Sequence, residues 1–291
     1  MTPKNGNGPF VVPPGTALLG EILTWSCSGV KIRHADLIGG LKDADLDESV
    51  ARELAPRHAF TRACKKLSEA RIIRQIAEDA HTITFQFTKE SKASDSWEYS
   101  FETRLVLAKS TGTITCDLPG LATLAQEELD RCIEARNGAD VTRTIQRLFE
   151  RNADLFPIRD KGGVYFVPER HTPFIDQIDR FLKKLNGNLR RFPVPAGTPH
   201  GDRSVKEAVT SGLTAMIEEH RAAIALFGED TRESTLERAA ERIRVTSHKL
   251  SAYAEYLADE RAKLEAQLTL AAGELRARIA ALSEAGEAVA S

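Results

Sequence analysis

Leu236, Ile243, Leu250, Leu257 and Leu264 follow one another at four successive intervals of seven residues. An α-helix returns to nearly the same face every seven residues, so this repeat demands a helix with a narrow apolar stripe. The intervening contact positions are mostly small: Ala239, Ala240, Ser247 and Ala254, with Leu268 further on. Continued through Leu275, Ile279 and Leu282, the spacing predicts a helix of about 50 residues, about 75 Å long at the helical rise. A shorter helix precedes it, because Val205, Val209, Leu213, Met216, Ile217, Ile224 and Phe227 recur at helical intervals. Gly228, Glu229 and Asp230 read as the turn, and Ser234 with Glu237 fits a capping box. Residues 201–286 therefore read as a long antiparallel helical hairpin, coiled-coil-like and close-packed through its small residues. The longer helix outruns its partner and needs a cover, so Leu236, Ile243, Leu250, Leu257, Leu264, Leu268 and Leu275 are candidate contacts for an oligomer or a protein partner.

Upstream of the Pro- and Gly-rich stretch Pro193–Gly201 the pattern is mixed. Phe60, Ala63, Cys64 and Leu67 sit at helical spacing behind Pro56, and Ile72 and Ile73 begin a strand. Ile83, Phe85 and Phe87 alternate with polar residues, as do Trp97, Tyr99, Phe101, Thr103, Leu105 and Leu107. With the turn at Lys109–Gly112 this is an antiparallel meander with one buried face. A helix follows over 121–136, stopped by Asn137 and Gly138; Asp140 then caps a helix carrying Val141, Ile145, Leu148 and Phe149. Leu155–Val167 reads as a hairpin turning at Asp160–Gly163, followed by a helix from Phe174 to Leu185 and a strand from Leu189 to Val194. The fold class expected is α+β: two small helix-plus-antiparallel-hairpin units, then the helical hairpin. The divisions are an arm at 1–15, a unit at 16–137, a second unit at 138–200 and the hairpin at 201–286.

Several chemistries lack their motifs. There is no Gly-rich phosphate loop followed by Lys and Ser or Thr, no His-Glu-x-x-His helix and no Gly-x-Ser-x-Gly elbow. His58, His81, His171 and His200 are dispersed, and Gly162 and Gly163 lie between strands and read as turn glycines. Cys27, Cys64, Cys116 and Cys132 are too far apart for a zinc knuckle or a redox pair and read as buried thiols. Asp43, Asp45, Asp47 and Glu48 lack the ligand series of a calcium loop and read as a helix start. No metal and no cofactor is expected. No apolar run reaches membrane-spanning length and the first residues have no secretory layout, so a cytoplasmic protein without a membrane partner is expected.

Charge is distributed more tellingly than its sum. The formal net charge of -2 excludes a uniform polycation. Yet between Ala51 and Ile76 seven basic residues oppose only Glu53 and Glu69. The run Phe60-Thr61-Arg62-Ala63-Cys64-Lys65-Lys66-Leu67, then Ala70-Arg71-Ile72-Ile73-Arg74, resembles the recognition helix and first wing strand of winged-helix proteins. That resemblance implies DNA or RNA contacts from Arg57, Arg62, Lys65 and Lys66 on the helix and from Arg71 and Arg74 near the wing. The 138–200 unit repeats the outline, with Arg143, Arg147 and Arg151 on a helix and Arg159 and Lys161 at a hairpin tip. Gly162-Gly163-Val164-Tyr165-Phe166-Val167-Pro168 and the final hairpin are also similar to a family of uncharacterised bacterial and phage proteins, which implies a phage or phage-defence setting and no particular activity.

The function expected from these features is a non-enzymatic adaptor or assembly protein. Its body binds nucleic acid or protein, and its helical hairpin mediates self-association or docking. A metal-dependent nucleic-acid-processing enzyme and a purely structural coiled-coil scaffold are the alternatives.

Overall fold

A computed structural model describes residues 15–69, 71–93, 96–159, 162–228, 231–257 and 260–290, with side chains to Leu282. The expected arm, apart from Gly15, and the predicted contact Lys161 lie outside the described residues. In chain order the first elements are β1 (Leu18–Ser26), β2 (Lys31–Arg33), α1 (His34–Asp43), α2 (Pro56–Lys66), β3 (Arg71–Glu78), β4 (Thr82–Ala93), β5 (Ser96–Ala108) and β6 (Ile114–Thr115). There follow α3 (Pro119–Glu134), β7 (Ala135–Asn137), α4 (Gly138–Asn152), β8 (Phe156–Pro157), β9 (Tyr165–Pro168), α5 (Thr172–Lys184) and β10 (Asn188–Pro195). The last are α6 (Pro199–Ala225), α7 (Glu233–Ala252), α8 (Ala254–Leu257) and α9 (Arg261–Ala290). The architecture is α+β, with antiparallel sheets and a long C-terminal helical region.

Two compact units emerge, each assembled from separate pieces of chain. One comprises residues 26–151 and 176–188; the other comprises 1–25, 152–175 and 189–291. The stretch 138–200 is thus shared between them. The Pro- and Gly-rich stretch before α6 falls inside the second unit.

In the unit built on 26–151, β3, β4, β5 and β6 form an antiparallel meander in that order. One face carries Ile83, Phe85, Phe87, Leu105 and Leu107, which share a core with Phe60 and Cys64 of α2 and Leu129 and Cys132 of α3. Phe60 meets Phe85 edge-on with ring centroids 5.3 Å apart. The alternation in β5 is not continuous. Phe87 faces Thr103 but Thr88 faces Phe101, so Glu102 is an extra residue and the faces exchange there. Trp97, Tyr99 and Phe101, expected on the core face with Leu105 and Leu107, stand instead on the outer face, 56–58% exposed.

The start of α4 also differs from expectation. Asn137 is the cap: its Oδ1 accepts from the backbone N–H groups of Ala139 and Asp140 at 3.0 and 3.2 Å, and Asp140 accepts the N–H of Asn137 at 3.0 Å. That reciprocal pair frees the other carboxylate oxygen of Asp140 for side-chain partners. Asn137 does not simply stop α3, because β7 intervenes and pairs with β2. Gly138 opens α4 where a Cβ would lie 1.9 Å from the carbonyl oxygen of Cys27. Gly138→Ala must push these backbones apart and is expected to cost about 1–3 kcal/mol, read as a lowered thermal midpoint.

In the other unit the sheet order is β10-β1-β9-β8, with β9 antiparallel to both β1 and β8. Helix α6 packs on β8 and against α7 and α9, while α7 also packs on α9. The continuous second helix expected from the heptads is broken. Helix α7 stops at Tyr253, whose ring is buried and whose hydroxyl donates to Asp154 at 2.6 Å. The Arg170 guanidinium lies over that ring at 4.6 Å and bonds the same carboxylate at 2.6 Å. Helix α8 follows directly after Tyr253, and α9 runs back along α7. Ile224, Leu236, Ala271 and Leu275 meet at one end of the bundle, and Val209, Leu250, Leu257 and Leu264 lie in the cluster at the other.

The residues expected on an oligomer interface are therefore committed within the chain. Leu236, Leu250, Leu257, Leu264, Leu268 and Leu275 are all buried, and Ile243 packs partly buried against both clusters. The seam needs a cover and receives it from α6 and the returning α9. A pair of helices outrunning one another is replaced by three helices covering one another.

Candidate functional site

Five arginines from four pieces of chain converge on a cleft of about 570 Å³ in the unit built on 26–151. Arg52 comes from the segment before α2, Arg62 from α2, Arg136 from β7, and Arg143 and Arg147 from α4. The pairing of β7 with β2 holds Arg136 opposite Ile32. The helical spacing of Arg143 and Arg147 sets them one turn apart, on the side of α4 away from Val141, Ile145 and Leu148. His58 and Thr61 of α2 also line the space, whose carboxylates are Glu53 and Asp140.

Asp140 is already engaged. It takes both arms of Arg62, at 2.6 and 2.9 Å, and a further bond from Arg143 at 3.2 Å. Burial alone would raise its pKa, but the Arg62 hydrogen bonds, the Asn137 N–H and the two guanidinium charges hold the carboxyl below the usual aspartate value. Arg136 and Arg147 form no ion pair among the described residues. Arg136, only 4% exposed, donates to the carbonyls of Ile133 and Ala135 at 2.8 and 2.9 Å. Arg147 donates to the carbonyl of Val50 at 3.1 Å. Burial lowers both pKa values; for Arg136 the Arg62 guanidinium adds to it while Asp140 and Glu53 oppose it, and for Arg147 the guanidiniums of Arg52, Arg143 and Arg151 add to it while Glu150 opposes it. His34 is likewise lowered, by burial and by Arg136, and its buried Nδ1 has no hydrogen-bond partner among the described residues.

Such a cleft stores unbalanced positive charge on guanidiniums already oriented by backbone carbonyls. A tetrahedral or carboxylate oxyanion accepts from guanidinium forks and carries the opposite charge, which is the chemistry such an arrangement offers.

The predicted contacts fare unequally. Arg62 lines the cleft, spent on Asp140. Lys66 is paired with Glu128, and Arg71 holds Glu102 through two bonds of 2.6 and 2.9 Å. Arg57 is exposed at the start of α2, with its Nε directed to Nε2 of His58 at 3.3 Å. Lys65 is exposed on α2, and Arg74 is exposed on β3. Arg159 is exposed and belongs to the other unit. Arg52, Arg143 and Arg147 were visible as members of basic runs but not as a group, and Arg136 stands alone in sequence between acidic and polar neighbours. Among the described residues, no three His, Cys, Asp or Glu side chains are grouped to hold a metal ion. No helix among them is long and apolar enough to cross a membrane.

Fold and cleft together define an α+β protein with a cationic, arginine-lined cleft. The chain belongs to a family of unknown function (DUF6744), whose family model matches residues 18–287. No curated protein and no solved structure matches it.

Proposed function

We propose that the protein is a non-enzymatic nucleic-acid-binding component of a larger assembly, with the arginine cleft taking backbone phosphates. The observation that carries this reading is the convergence of five arginines on one cleft whose carboxylate Asp140 is shared between two of them. Phosphate contacts of this kind supply affinity and position and are independent of base identity. The winged-helix likeness of the α2–β3 segment enters only in part. Arg62, Lys66 and Arg71 would have to leave Asp140, Glu128 and Glu102 to reach a groove, whereas Lys65 and Arg74 form no ion pair among the described residues.

Fluorescence anisotropy with a labelled oligonucleotide over a salt series tests the reading. Binding is expected to weaken linearly in the logarithm of salt, and Arg143→Ala with Arg147→Ala is expected to flatten the slope by about 1.5 and reduce affinity at least about tenfold. Circular dichroism establishes that the double variant is folded. Absence of binding at about 50 mM salt, or an unchanged slope in the folded variant, defeats the proposal.

A further inference from the structure

The outer face of the β3–β6 sheet bears a row of three rings that the cleft reading does not use. Trp97, Tyr99 and Phe101 are 56%, 56% and 58% exposed. They alternate along β5 on the face that the extra residue Glu102 turned away from the core. Alternate residues of a strand lie about 6.7 Å apart on one face, a spacing that lets the bases of an extended strand stack in succession. The rest of the face is not that of a protein interface. Gln86, Thr88, Glu90 and Lys92 pair across from β5, and Arg74 pairs with Gln86 from β3. Arg104 lies over the Phe101 ring at 5.6 Å, and the Tyr99 hydroxyl engages Glu90. Ile72 and Val106 share the face with the three rings, but Arg74, Glu90, Lys92 and Arg104 charge it, and a dry interface core is depleted of charge. Among the described residues of this face, the three cations Arg74, Lys92 and Arg104 against the one carboxylate Glu90 also favour a polyanion.

We infer that this face is a stacking platform for single-stranded nucleic acid, the bases lying on Trp97, Tyr99 and Phe101 and the backbone running beside Arg74, Lys92 and Arg104. The inference deepens the nucleic-acid reading above, on which it rests, by naming a single strand as the ligand. In a duplex the base faces are covered by their neighbours and cannot reach the rings.

The full chain is titrated with fluorescein-labelled oligo(dT) of about 20 nucleotides and with a duplex of equal length, a span that covers both surfaces of a small domain. The single strand is expected to bind more tightly and to quench tryptophan emission, and this quenching is expected to vanish in Trp97→Phe. Tyr99→Ala with Phe101→Ala is expected to lower single-strand affinity at least about tenfold and leave duplex affinity within about twofold. Both rings are exposed, so the variant keeps its thermal midpoint. If the ring variant keeps wild-type single-strand affinity while Arg143→Ala with Arg147→Ala loses it, the platform is overturned and the cleft reading stands. If neither oligonucleotide binds the wild type, both are overturned. A concentration-dependent increase in mass that the ring substitutions abolish assigns the face to a second copy of the chain and also overturns the platform.

Discussion

Asp154→Ala is expected to lower the stability of the protein by about 3–5 kcal/mol, the cost of removing the buried counter-ion of a cationic cluster. The carboxylate receives Lys249 at 2.7 Å, Arg170 at 2.6 Å and the Tyr253 hydroxyl at 2.6 Å, with Nε2 of His171 at 3.2 Å. Lys249 and Arg170 would be left facing one another around a vacated site, and the buried Tyr253 hydroxyl would lose an acceptor. Burial by itself would raise the pKa of this carboxyl. The hydrogen bonds with His171, Lys249 and Tyr253 outweigh it and hold the group far below the ordinary aspartate value. A folded-state value below the unfolded one contributes stability that is complete above the unfolded pKa, near 4, and declines as pH falls toward the folded value. Urea midpoints followed by circular dichroism at neutral pH and at about pH 3 check both claims. The wild type is expected to lose more stability on acidification than Asp154→Asn, which cannot ionise. Equal acid slopes, or a midpoint unmoved by Asp154→Ala, would show that the cluster does not hold the fold.

The effect of that cluster on Tyr253 marks the limit of what local pattern conveys. Phe60, Cys64, Phe85 and Phe87 could be placed on a helix and strand of one core because each belongs to a short periodic run. The period follows from backbone geometry alone. The bulge at Glu102 has no such signature: Trp97 to Leu107 alternate without interruption in sequence, and only pairing with β4 reveals the exchange of faces. The break after α7 is equally silent, since Leu250 and Leu257 keep the seven-residue interval across Tyr253. The partner that Tyr253 meets at this break, Asp154, is distant in sequence. The arginine cleft is a harder case still. Arg143 and Arg147 share a helix face, but their meeting with Arg52, Arg62 and Arg136 depends on strand pairing and helix packing between remote segments.

The heptad residues give the sharpest contrast between a pattern and its use. A seven-residue repeat states that a helix face must be covered and leaves open whether the cover comes from another chain or the same one. Leu257 and Leu264 are 0% and 1% exposed and lie in one cluster with Val209 and Leu213 of α6 and Leu250 of α7. Leu257→Ala and Leu264→Ala each open a cavity among these side chains and are expected to cost about 2–5 kcal/mol. Because the contacts are internal to the bundle, the loss appears as a lower urea midpoint that does not depend on protein concentration, with the mass by light scattering unchanged. Were the seam shared between chains, the same substitutions would change the mass and make the midpoint rise with concentration. Tyr253→Phe discriminates further: it keeps the ring packed on Phe156, whose centroid is 5.0 Å away, and removes the hydroxyl bonded to Asp154. Its cost, about 1–3 kcal/mol for a charge-assisted hydrogen bond lost inside the fold, should fall well below that of Leu257→Ala if apolar burial dominates this part of the bundle. A larger cost for Tyr253→Phe would make the polar cluster, rather than the leucine seam, the principal restraint on where α7 stops and α9 turns back.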